Sequence, residues 1–82
     1  MTIQHDPAHQ RFSLFVEGQE SYLTYMVRAD GSWNFNYSFT PPAQRGQGLA
    51  RSLVAHAKAH CDAQGIRYSA SCPYVAYTLE RL

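Results

Sequence analysis

Thr40-Pro41-Pro42-Ala43-Gln44-Arg45-Gly46-Gln47-Gly48-Leu49-Ala50 is the stretch on which the reading of this chain turns. An aromatic run, Trp33-Asn34-Phe35-Asn36-Tyr37-Ser38-Phe39, enters it with the alternation of a strand, and an alanine-rich run with helical spacing leaves it. A glycine-rich turn that opens a helix is a ready anion site, because the first helical turn presents backbone N–H groups with no partner inside the helix. Gly46 and Gly48 admit φ values and close approaches that a β-carbon forbids, and Pro41-Pro42 stiffens the exit from the strand. No Gly-Lys-Ser/Thr follows and no Gly-x-Gly-x-x-Gly is present, so neither a Walker loop nor a dinucleotide fingerprint is written here. The loop is expected to hold a pyrophosphate.

Outward from the loop, Ser32 to Thr40 alternates cleanly. Trp33, Phe35, Tyr37 and Phe39 are expected on one face, and Ser32, Asn34, Asn36 and Ser38 on the other. Such a row suits a core covered by a helix. It would also suit stacking with single-stranded nucleic acid, but no basic surround accompanies it. Asp30-Gly31 marks a hairpin back to a strand over Tyr22–Arg28, and a turn at Gly18 leads back to another over Arg11–Glu17, with Phe12, Leu14 and Val16 on one face. Residues 1–10 are polar and are expected as a mobile leader.

Downstream, a helix from about Gly46 to Gln64 lines up Leu49, Ala50, Leu53, Val54, Ala57 and Cys61 along one side, and Gly65 stops it. Ile66–Ala70 reads as a short strand. Pro73 suits the first position of a final helix, Tyr74–Arg81. Strand, helix and strand at this spacing imply a parallel pair with a right-handed crossover. The expected fold is therefore α/β (α+β): three antiparallel strands, then a β-α-β unit and a short C-terminal helix, with residues 11–82 as a single domain.

Eighty-two residues make one domain, near the lower size at which a core supports itself unaided. The net charge of +1 is scattered singly, which leaves no electrostatic footprint for nucleic acid or an anionic membrane. No apolar run approaches the ~20 residues that span a bilayer. Two cysteines without a secretory signal read as free thiols in a reducing compartment, and the expected location is cytoplasmic. His56 and His60 stand four apart, as zinc ligands on a helix do, but no third ligand accompanies them and no metal is expected. Cys61 falls in the apolar stripe and reads as packing.

Arg45-x-x-Gly48-x-Ala50 after a strand, with Ser71-Cys72-Pro73-Tyr74-Val75 one helix and one short strand later, is similar to the minimal GNAT-like N-acetyltransferases, the short yjdJ-like proteins, over residues 11–82. The resemblance implies acetyl-CoA as cofactor, an amine acceptor (small molecule or protein lysine), and a parallel strand pair that splays to admit the pantetheine arm. It implies a cofactor site at Phe39, Thr40, Arg45, Gly46, Gln47, Gly48, Leu49, Ala50 and Arg51. It also matches Cys72 to the position of the cysteine proposed as catalytic in the family. Cys72 stands just before the proline that opens the last helix, at the positive end of its dipole. It could take the acetyl group, protonate the leaving thiolate, or only line the pocket. Larger GNAT enzymes use a tyrosine on this helix as general acid, which singles out Tyr74 and Tyr77; amphipathic packing is the alternative for both. Family members carry His-Thr where Tyr37-Ser38 stand here. The competing functional reading is a CoA or acyl-CoA binding or interaction module without turnover.

Overall fold

Alternating apolar residues build a five-stranded sheet in the order β1-β2-β3-β4-β5. Its strands are β1 (Ile3–Asp6), β2 (Arg11–Val16), β3 (Gln19–Val27), β4 (Trp33–Phe39) and β5 (Tyr68–Ala70). The first three pairings are antiparallel and β4 pairs with β5 in parallel. Helix α1 (Leu49–Gln64) makes the crossover between β4 and β5, and α2 (Pro73–Leu79) follows β5. This computed structural model describes residues 2–82. The α+β architecture is the one expected from the sequence, with α1 starting three residues later than the glycine pair implied.

One face of the sheet carries the core. Phe12 and Leu14 of β2, Leu23 and Tyr25 of β3, and Trp33 and Phe35 of β4 meet Leu49, Leu53, Val54, Ala57 and Cys61 of α1 and Val75 of α2. Each fully buried aliphatic or aromatic side chain of this kind is worth about 1.5–3 kcal/mol relative to exposure. Both helices thus pack on the same side, α1 over β2 and β3, α2 over β4 and β5. Phe15, Met26 and Tyr37 remain about half exposed.

Two expectations are corrected. The residues read as a mobile leader form β1 and a 3-10 turn at Pro7–His9, with Met1 outside the described residues. Strand β1 pairs Ile3 with Leu14 and His5 with Phe12, so Ile3 and His5 join the core face. The His5 ring stacks on Phe12 at 4.2 Å, and its Nε2 lies 2.7 Å from the Tyr25 hydroxyl. A histidine counted as polar in the sequence is here an aromatic plate. The second correction concerns β4. Tyr25 pairs with Phe35 but Thr24 pairs with Tyr37, so Asn36 is an extra residue. This β-bulge reverses the alternation. Tyr37 and Phe39 therefore leave the core face and contact Tyr22, on which the Arg11 guanidinium sits, while Ser38 takes the inward place opposite Leu23.

The β1 contact is sensitive to pH. Burial is the largest cause holding the His5 pKa below its ordinary value of 6.5; His60 and His56 of α1 act in the same direction, and Asp6 opposes them. The folded chain then binds fewer protons at His5 than the unfolded chain does, so this stabilisation is present above about pH 6.5 and is lost as pH falls below it. Urea unfolding at pH 7.5 and pH 5 is expected to show lower stability at the acid value. His5→Phe, which keeps a ring over Phe12 and cannot titrate, is expected to shrink that difference.

Candidate active site

The parallel ladder between β4 and β5 stops early. It pairs Trp33 with Tyr68, Asn34 with Ser69 and Phe35 with Ala70. The N–H groups of Ser71 and Cys72 then both donate to the Phe35 carbonyl, at 3.1 and 3.3 Å. Pro73 opens α2 directly afterwards, and the chain leaves the sheet. Strand β4 runs on to Phe39 with no strand beside its outer edge, and a cleft of about 540 Å³ opens there. That is within the range of small-molecule sites.

The far side of the cleft is the glycine loop. Pro42–Gln44 form a 3-10 turn, and Arg45 Nε donates to the Thr40 carbonyl at 3.0 Å, tying the loop back to the end of β4. Gly46 and Gly48 have φ of +83° and +76°, a left-handed conformation that strains any side chain. Gly48 caps α1, whose first main-chain bond runs from the Ser52 N–H to the Gly48 carbonyl at 3.0 Å. Among the described residues, the amides from Gly46 to Arg51 have no protein acceptor. This is a row of donors at a helix N-terminus, and Arg45 is the charged side chain among the described cleft-lining residues. The residues present fit the diphosphate of a nucleotide cofactor.

Residues 11–82 match the sequence model of a family described as GCN5-related N-acetyl-transferase. The chain belongs to that family. No curated protein matches it in sequence. Two solved structures share the fold of this acetyltransferase family member. An integron cassette protein from the mobile metagenome of Cole Harbour Salt Marsh superposes with a TM-score of 0.58 at 20% identity, covering 79% of this chain and 47% of that one. A ribosomal-protein-alanine N-acetyltransferase from Brucella melitensis biovar Abortus 2308 gives a TM-score of 0.55 at 14% identity, covering 88% and 62%. The chain thus spans roughly half to three-fifths of the length of these neighbours.

Within this acetyltransferase fold, the structure brings Phe39, Thr40 and Arg45 together with Gly46, Gly48, Leu49 and Ala50 around the cleft, and Tyr74 reaches it from α2. Gln47 is exposed in the loop. Arg51 turns away, its Nη2 donating to the Arg81 carbonyl at 3.3 Å. Tyr77 is 55% exposed and lies under the Arg81 guanidinium, 3.7 Å from its ring centre, outside the cleft lining. Cys72 occupies the N-cap of α2, partly buried, with Sγ 3.8 Å from the Ser38 hydroxyl, and Ser38 lines the cleft. Cys61 is fully buried among the α1 contacts, and burial pushes its thiol up to about 11. Among the described residues, no group of three or more His, Cys, Asp or Glu is placed to hold a metal.

Sequence reasoning passed over Tyr37, Ser38 and Gln44, all of which line the cleft. The bulge that presents Ser38 leaves no mark in the alternating pattern. Gly48→Val places a β-branched residue in the left-handed conformation, which is expected to cost roughly 1–2 kcal/mol. Urea unfolding checks this, with Gly48→Ala expected to lose less.

Proposed function

We propose that this chain is an acetyl-CoA-dependent N-acetyltransferase of the short yjdJ-like kind, working in a reducing compartment. The observation that carries the reading is the run of free amides from Gly46 to Arg51, set where β4 has lost its neighbour. Those amides and the α1 dipole suit the diphosphate of coenzyme A. The bare edge of β4 beyond Phe35 suits an extended pantetheine arm, which can add its amides as a false strand. Followed along β4, the arm brings the thioester toward Ser38 and Cys72.

Transfer requires the lone pair of a neutral amine to form a C–N bond at the thioester carbonyl carbon. The C–S bond then breaks, the thiolate takes up a proton, and the amine's surplus proton passes to solvent. The Ser38 hydroxyl is placed beside the Cys72 sulfur and can donate to it. In this reading Cys72, whose sulfur lies 3.8 Å from the cleft-lining Ser38 hydroxyl, either accepts the acetyl group before the amine does or protonates the departing thiolate. The acceptor class is an amine, borne by a small molecule or by a protein lysine. A second reading is a CoA or acyl-CoA binding module. It is favoured by the absence of any carboxylate or imidazole among the described residues lining the cleft.

Titration with acetyl-CoA is expected to raise the melting temperature, since a ligand at 100 times its Kd adds about 2.7 kcal/mol to folding stability. A flat response at millimolar ligand would remove both readings. Where binding is present, labelled acetyl-CoA offered to a panel of amines separates turnover from simple binding. Transfer that survives in Cys72→Ser would exclude the covalent route.

A further inference from the structure

Gln44 is the last residue of the 3-10 turn between β4 and the glycine loop, and its backbone N–H closes that turn on the Pro41 carbonyl at 2.8 Å. Its side chain is only 4% exposed. A glutamine amide brings two donors and an acceptor carbonyl, all of which need partners when water is excluded. Among the described residues, Gln44 Oε1 is buried without a hydrogen-bond partner. Thr40 repeats the pattern four residues earlier. Its carbonyl is taken by Arg45 Nε, while its Oγ1 is buried and unpartnered. Both residues line the same cleft.

An orphaned carbonyl oxygen is costly to bury, and a leucine of similar volume would fill the space without that cost. Two such groups, on residues four apart that both line the cleft, mark a place where a ligand completes the hydrogen bonding. Their position along the cleft says which part of the ligand that is. On one side lie the free amides of Gly46 to Arg51, suited to a diphosphate. On the other lies the β4 edge at Ser38, next to Cys72. The moiety between a diphosphate and a thioester in an acyl-CoA is the pantetheine arm, whose polar groups are two amides and a hydroxyl. We infer that Gln44, seconded by Thr40, is a specificity-determining residue that hydrogen-bonds the pantetheine arm. This makes the site select acyl-pantetheine thioesters over ligands that offer only a nucleotide diphosphate. The inference rests on the acetyl-CoA reading of the cleft and adds to it a side-chain contact that backbone recognition does not provide.

Calorimetric titration with three probes tests it: CoA, S-acetyl-pantetheine and ADP. In Gln44→Leu, affinity for CoA and for S-acetyl-pantetheine is expected to fall on the order of tenfold, as for loss of a hydrogen bond to a buried polar partner, while affinity for ADP is unchanged. The ligand-free variant is expected to melt no lower than the parent, because an unsatisfied buried oxygen has been removed. Gln44→Met serves the same comparison if the leucine variant fails to fold. A variant that melts lower but binds CoA as tightly as the parent would overturn the inference and make Gln44 a structural residue. Equal losses for ADP and CoA would overturn it too, since the contact would then be to the phosphates. If the unsubstituted protein binds none of the three probes, the acetyl-CoA reading itself falls, a result distinct from either of those.

Discussion

One carbonyl oxygen decides the shape of this molecule. The Phe35 carbonyl receives both the Ser71 and the Cys72 N–H, and with that double acceptance the parallel ladder ends. Proline at position 73 has no N–H to continue a sheet, and its fixed φ favours the start of a helix. Helix α2 therefore forms where β5 would have run on, and β4 is left with a bare outer edge. Such an edge is ordinarily a liability for a sheet protein. Here it is short, it lies in a cleft, and it ends beside a helix N-terminus rich in unpaired donors. Fold and cleft have a common origin in the place where two strands part.

The bulge at Asn36 refines what that parting exposes. A strand with regular alternation would turn Tyr37 inward and leave Ser38 outside. The extra residue exchanges them, so a small hydroxyl rather than a phenol ring faces the Cys72 sulfur. Thr24 Oγ1 holds the irregularity by donating to Asn36 Oδ1 at 2.6 Å. The displaced rings are not lost to packing, since Tyr22 collects both Tyr37 and Phe39 on the opposite face. A local defect in pairing thus sets which side chains face the cleft wall.

The parts of the fold that could be read from sequence are those encoded within a few residues. The hairpin at Asp30-Gly31, the stripe from Leu49 to Cys61 and the paired glycines all announce themselves by spacing, because each is specified by backbone geometry or by one helix face. The bulge is invisible at that range, since the aromatic alternation from Trp33 to Phe39 continues unbroken through it. Strand β1 is hard to read because only Ile3 among its residues is apolar, and His5 takes its place through stacking on Phe12, its partner on the neighbouring strand. Gln44 sits between prolines and an arginine, a context that reads as a solvated loop; its burial follows from how the 3-10 turn folds under the end of β4. Arg51 and Tyr77 were matched to the site by position, yet Arg81 occupies both of them through its carbonyl and its guanidinium.

The two thiols are sorted by the same packing that shapes the core. Cys61 is sealed inside the α1 face with its proton held tightly, whereas Cys72 stands partly open at the head of α2. An alkylating reagent offered to the native protein therefore meets a single accessible sulfur. A dye attached there would sit beside Ser38 of the cleft wall as a local reporter, and labelling of the second cysteine would count the molecules that have come apart.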